Sequence, residues 1–432
     1  MEEQRDSERC EERHSLPRRV SRRRFLRGLG TITAGVVIEA CRYGRPQISV
    51  GPTRTVATAA SPTVAPTLAP TASRAIQQTI DPTVVPSLAP SIAPTTKPAL
   101  QPSATPTPSS VSQVSIARAR SYDRTTVYQQ VRALLDGIGG LGDVVSSGDR
   151  VALKVNLTGG AHFDAAPSVV PTESYLTHPE VVRALMELLR DAGARELFIV
   201  EAVFDRESYP VYGYSDLARD LDATLIDLND PYPYGDFATV PVGDGHFIYG
   251  DFLLHRILEE VDAFVSVAKM KCHYSCGVTH SMKNLIGLVP VVHYRLSSDH
   301  WWRSALHGEG QETKERLPRV ILDLNRARPI DLAVIDGIKT AEGGEVPRGS
   351  FNPVEPGVLF AGTDPVAVDS VATCAMGFDP TVEPPAAPFL RGDNYLNLAY
   401  ELGLGTNRLD EIGVVGAAID EVRYQFQPST NQ

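Results

Sequence analysis

From Val111 to about Gln427 the chain alternates between two hydrophobic rhythms. Short runs of consecutive apolar residues are separated by longer stretches whose apolar positions recur at three- and four-residue spacing. The short runs predict strands at Val114–Ala119, Val151–Val155, Leu197–Val200, Thr224–Ile226, Ala263–Ala268, Leu332–Ile335 and Val358–Ala361. The longer stretches predict helices at Thr126–Gly137, His178–Ala192, Ser215–Leu221, Thr279–Leu288, Leu317–Arg326, Pro365–Met376 and Tyr395–Leu402. Strands alternating with amphipathic helices imply an α/β fold, with a largely parallel sheet covered on both faces. Roughly 310 residues are enough for one large domain or two lobes. At the start of the second helix Thr177 reads as the cap, Pro179 sits in the first turn, and Glu180 completes a capping box.

The pattern changes abruptly upstream. Pro52–Ser110 is made largely of Pro, Thr, Ala and Ser, with a proline at every fourth position from Pro82 to Pro106. That repeat removes a backbone donor every four residues and offers too little apolar surface for a core. It reads as an extended tether reaching roughly 40 Å as a coil and roughly 180 Å as polyproline. The first forty residues read as a targeting segment, because Ser21-Arg22-Arg23-Arg24-Phe25-Leu26-Arg27 resembles a twin-arginine export signal. The apolar stretch Gly28–Ile38 that follows falls far short of a membrane span. Ile38-Glu39-Ala40-Cys41 resembles a lipobox, in which Cys41 is lipidated and becomes the mature N-terminus; a plain cleaved signal and an uncleaved anchor are the alternatives. The chain therefore divides into an export signal (1–40), an anchor site and linker (41–110) and an α/β domain (111–427). The export machinery and, through a lipid, the membrane are its expected partners.

Charge narrows the function. Setting aside the nine arginines and seven acids before Cys41 leaves 32 basic and 45 acidic residues, a net charge of about −13. Nucleic-acid binding, which depends on neutralising phosphates, is not expected of such a surface. Cys272, Cys276 and Cys374 remain after the leader, an odd count that does not form a disulfide framework.

Candidate chemistry gathers at the predicted strand ends. Lys154 and Asn156 close one strand, Glu201 a second, Lys269 to His273 a third and Asp336 a fourth. In an open parallel sheet those ends share one edge, where ligands bind. Lys154, Lys269, Lys271 and Lys283 would make an electropositive pocket suited to a carboxylate or phosphate. Cys272, Cys276 and His280 fall at i, i+4 and i+8, and five of the ten histidines lie between His273 and His307. A metal ion, or a Cys272–Cys276 disulfide, therefore stays among the candidates. Asp336, Asp364 and Asp369 could hold a hard cation or move protons, although Asp364 before Pro365 is a natural helix cap. Asp369 lies in an apolar helix and needs a partner, for which a lysine of the basic cluster is a candidate.

Several ordered blocks resemble the domain-of-unknown-function family 362. They are Lys154-Val155-Asn156-Leu157, Thr177-His178-Pro179, Lys269-Met270-Lys271-Cys272-His273 and Thr279 with Lys283-Asn284-Leu285-Ile286-Gly287. Asp331 to Gly337 and Gly362 to Asp369 follow. Some members resembling it carry an iron–sulfur ferredoxin module, but no run of four closely spaced cysteines exists here. Cluster-based electron transfer is therefore not implied, and the cofactor is left open.

Two functions fit these residues. One is an exported enzyme that positions an anionic small molecule or cofactor over Lys154, Asn156, His178, Lys269, Lys271, Lys283, Asn284, Asp336 and Asp369, with His273 or Glu201 moving a proton. The other is a tethered, non-catalytic lipoprotein that captures an anionic or metal-bearing solute.

Overall fold

The apolar runs are continuous rather than alternating because helices cover both faces of the sheet they build. A computed structural model describes residues 111–430, apart from 164, 165 and 167. The export signal, Cys41 and the Pro/Thr-rich linker lie outside the described residues.

The strands are β1 (Ser112–Arg118), β2 (Arg150–Lys154), β3 (Glu196–Glu201), β4 (Thr224–Asp227), β5 (Ala238–Pro241), β6 (Asp251–Leu254), β7 (Ala263–His273), β8 (Gly277–Thr279), β9 (Leu332–Glu342), β10 (Asn352–Val354), β11 (Val358–Gly362) and β12 (Ile412–Gly416). Ten of them form one sheet in the order β12-β1-β11-β9-β7-β2-β3-β4, with β8 and β10 attached as hairpins to β7 and β9. Only β11 runs against its neighbours along that path, so the carboxyl ends of β9, β7, β2, β3 and β4 share one edge. The hairpin β5–β6 stands apart. The ten-stranded sheet and the separate hairpin belong to one compact unit rather than two lobes.

The longer helices are α1 (Arg124–Gly137), α2 (Pro179–Asp191), α3 (Tyr214–Asp220), α4 (Thr313–Ala327), α5 (Pro365–Ala375) and α6 (Tyr395–Glu401). Two buried clusters lie on opposite sides of the sheet. In β2, Val151 and Leu153 join the first with α1, α2 and α3, while Ala152 joins the second with α4, α5 and α6. In β7 the same period separates Val265 and Val267 from Phe264 and Ala268.

Three sequence expectations need correction. β7 does not end at Ala268; it runs to His273 with every residue buried, because β8 pairs with its far end and β9 continues beside it. Lys269, Lys271 and His273 are therefore strand residues. Thr279–Leu288 is not a helix: Thr279 is still held in the hairpin, and only a 3-10 turn follows at Lys283–Leu288. Thr177 does not cap α2. The His178 imidazole does so, its Nδ1 accepting from the Glu180 N–H at 3.2 Å. The Thr177 hydroxyl instead accepts from the Asn156 N–H (3.0 Å) and donates to the Val267 carbonyl (2.8 Å), tying the exit of β2 to β7.

Candidate functional site

Strand parity divides the expected cluster in two. Lys154 follows Ala152 onto the second face, whereas Lys269 and Asp336 follow Val267 and Val334 onto the first. Both groups sit at the carboxyl edge, on opposite sides of the sheet.

On the second face, Lys154 Nζ donates to Glu201 Oε2 at 2.8 Å, to the Val155 carbonyl at 2.6 Å and to Asn284 Oδ1 at 3.2 Å. Glu201 Oε2 also accepts from the Leu157 N–H (3.1 Å), and Asn284 Nδ2 donates back to the Lys154 carbonyl and to Ser266 Oγ. Burial draws the Lys154 ammonium down to about 8, and Glu201 works against that fall. Gly287 closes tightly over the pair. A Cβ there would lie 2.1 Å from Glu201 Oε1 and 2.6 Å from Lys154 Nζ.

These residues form one wall of a cleft of about 50 Å³. At roughly 10–15 Å³ per water-sized sphere it has room for three to five, the scale of a carboxylate or phosphate group. Asn156, Phe204, Lys283 and Arg303 complete it. Arg303 donates to the carbonyls of Val289 (2.8 Å) and Ala202 (2.6 Å), and its guanidinium lies 5.4 Å from the centre of the Phe204 ring. Burial lowers its pKa to about 10. Lys283 makes no hydrogen bond or ion pair with any described residue, and burial lowers its pKa. Asn156 is 7% exposed, and its Oδ1 has no hydrogen-bond partner. Three cations thus face one carboxylate across a small polar space. A larger cavity, about 340 Å³ beside Arg118, Arg120, Glu355 and Glu421, sets two cations against two acids and includes none of the expected residues.

On the first face, Lys269 Nζ donates to Asp336 Oδ2 and to the Thr172 carbonyl, both at 2.9 Å, and to Tyr122 Oη at 2.8 Å. Asp336 also accepts from the Tyr122 hydroxyl and from the N–H groups of His178 and Ile338. The His178 ring stacks on Tyr122, centroids 3.6 Å apart, and burial holds its pKa at about 4. Asp336 and Lys269 neutralise each other, leaving this group without an excess cation.

The remaining expected residues go elsewhere. Lys271 donates to the carbonyls of Tyr175 and Glu345 inside the protein, and burial holds its ammonium well below the usual lysine range. A register shift against β9 separates it from Lys269. His273 is buried at the hairpin, its Nδ1 accepting from the Ser275 N–H, and burial pushes its pKa well down. It does not line the cleft, so the placement of His273 as a proton carrier there is corrected. The partner of Asp369 is not a lysine: its carboxylate accepts from the Ser281 hydroxyl and from the N–H groups of Ser281 and Met282. Asp364 caps α5 as expected, accepting from Val366 and Ala367.

Cys272, Cys276 and Cys374 are free thiols, which overturns the Cys272–Cys276 disulfide. Cys272 Sγ faces the Gln427 carbonyl, Cys276 Sγ faces that of Val278, and His280 Nε2 lies 3.3 Å from Met376 Sδ. The hairpin points these three ligand types at different partners. Among the described residues no group of three or more His, Cys, Asp or Glu is placed to hold a metal ion.

Sequence reasoning passed over Arg303, Phe204 and Tyr122, and placed Gly287 in a block without giving it a role. Arg303 lies in an irregular segment with no periodic signal. Tyr122 follows the exit of β1, where the charged residues Arg118, Arg120, Asp123 and Arg124 read as a solvated strand end and helix start.

A family model described as a domain of unknown function (DUF362) matches residues 151–374. A thylakoid-associated protein of Synechocystis sp. is 30% identical over 279 residues, which cover 64% of this chain and 78% of that protein. A Thermotoga maritima crystal structure aligns at 13% identity with a TM-score of 0.30, over 57% of each chain. The lactate racemase apoprotein of Thermoanaerobacterium thermosaccharolyticum aligns at 14% identity and 0.32, over 58% of this chain and 54% of that one. The chain spans little more than half of either solved structure, and likeness of that degree carries no functional argument.

Proposed function

The chain belongs to the DUF362 family, and on that premise we propose that it is an exported, membrane-tethered enzyme acting on an anionic small molecule held in the cleft of Lys154, Lys283 and Arg303. One observation carries this reading. Lys154 is already neutralised by Glu201, while among the described residues neither Lys283 nor Arg303 has a carboxylate within ion-pair distance. Two uncompensated cations beside a buried amide oxygen that lacks a donor call for a ligand that supplies negative charge and a hydrogen.

The chemistry falls to the Lys154–Glu201 pair. With its ammonium drawn down to about 8, Lys154 can release or accept a proton near neutral pH at modest cost, and Glu201 fixes its position. The membrane tether rests on the twin-arginine pattern and Cys41. A relative described as thylakoid-associated supports a membrane setting. No helix of the described residues is long and apolar enough to cross a membrane, so the tether would act through the N-terminal segment.

Titration calorimetry with acetate and inorganic phosphate tests the anion site. Lys283→Ala should weaken binding at least about tenfold while leaving the thermal midpoint within a few degrees, because that ammonium holds no part of the fold together. Equal affinity in the variant would refute the assignment.

A further inference from the structure

The cleft is too small to hold more than the charged group of a ligand, so any larger ligand must emerge past its rim. That rim is aromatic. Phe204 lines the cleft, and Trp301 packs against it edge to face, ring centroids 5.2 Å apart and planes at 67°. Arg303 covers the same Phe204 ring, so one phenyl group connects the anion-facing guanidinium to the indole. Trp301 is 54% exposed. An indole left that open forfeits the burial that normally places tryptophan inside, and its exposed surface offers a place for a second ring to pack.

We propose that the ligand is an aromatic anion, an aryl phosphate or aryl carboxylate, and that Trp301 is its specificity-determining residue. This rests on the anion-site reading above and adds the class of the group attached to the charge. The charged group sits among Lys154, Lys283 and Arg303, and the ring lies against Trp301 and Phe204. Stacking of this kind tolerates different ring substituents but discriminates against anions without a ring.

The chain has two tryptophans, Trp301 and Trp302, so full-length Trp302→Phe protein reports Trp301 fluorescence alone. It should be titrated with inorganic phosphate, phenyl phosphate, acetate, benzoate and phosphatidylglycerol vesicles. Calorimetry on the same protein and on Trp301→Ala supplies affinities independent of the fluorophore. Phenyl phosphate should bind about tenfold more tightly than inorganic phosphate and change Trp301 emission. Benzoate should exceed acetate similarly, and Trp301→Ala should bring both ratios close to one while phosphate and acetate bind as before. Equal binding of ringed and ringless anions, or ratios unchanged in Trp301→Ala, would overturn the aromatic class and leave the anion site standing. A response to vesicles alone would overturn it in favour of a membrane-docking rim. No binding of any anion would remove the anion site as well.

Discussion

The Lys269–Asp336 pair offers the sharpest test of the sheet's interior. Both side chains are fully inaccessible, and Nζ and Oδ2 lie 2.9 Å apart. Asp336→Asn leaves an ammonium without a counter-charge, and breaking such a pair typically costs about 3–5 kcal/mol. The protonation equilibrium sets a ceiling. Holding the lysine neutral at pH 7, against an unfolded pKa near 10.4, costs about 1.4 kcal/mol per pH unit, or ~5 kcal/mol. The loss at pH 7 should therefore be about 3–5 kcal/mol. Burial already lowers the Lys269 pKa, and Asp336 is the main force opposing that fall. In the variant the folded state holds neutral Lys269 while the unfolded chain binds a proton, so stability rises with pH until about 10.4. The deficit relative to the parent should shrink from pH 7 to pH 9, since the other depressed lysines are common to both proteins. Urea unfolding followed by circular dichroism at pH 7, 8 and 9 measures it. A deficit under about 1 kcal/mol, or one constant with pH, would refute the reasoning. Lys269→Met combined with Asp336→Leu should not recover the loss, because it leaves the N–H groups of His178 and Ile338 and the Thr172 carbonyl without these partners.

Four further outcomes concern other parts of the chain. Burial pushes Asp369 up to about 7, so between about pH 4 and pH 7 it keeps a proton that the unfolded chain has released, and it subtracts stability as pH rises. Asp369→Asn should gain on the parent over that range, by ~4 kcal/mol at most, and a pH-independent difference in urea midpoints would contradict this. Gly287→Ala should force the Lys154–Glu201 pair apart, costing about 1–3 kcal/mol and weakening acetate binding in calorimetry; unchanged affinity would mean that the pair does not shape the cleft. Changing Arg22, Arg23 and Arg24 together to Lys should keep the protein in the cytoplasm on fractionation. Cys41→Ala should release it from the membrane fraction, and a variant that stays membrane-bound would make the leader an uncleaved anchor.

The α/β class was legible because burial on both faces demands continuous apolar runs, and those runs recur with helical stretches between them. Strand limits were less legible. Lys269 and Lys271 resemble a loop to any reading based on polarity, yet β9 and β8 provide hydrogen bonds that carry the strand on to His273. The same hairpin cancelled the helix expected from Thr279. Strand ends pointed to the right edge of the sheet, but not to which face each lysine takes. That depends on registers set by partners distant in sequence, such as Asp336 opposite Lys269. Arg303 was hidden for a related reason: it reaches the cleft from an irregular segment, where no periodicity marks what a side chain approaches.

The opposite placement of the two lysine groups bears on how the chain can change length. In β2, Leu153 and Lys154 face opposite sides. Inserting one residue early in that strand would, with the pairing at its start retained, carry Lys154 to the side of α1 and α2 and bring Leu153 to the cleft. Inserting two would restore the facing. Segments after the strands obey no such rule. Divergence within this architecture should therefore leave the lengths of β2 and β7 unchanged, or alter them by even numbers, while insertions of any size gather in the connections.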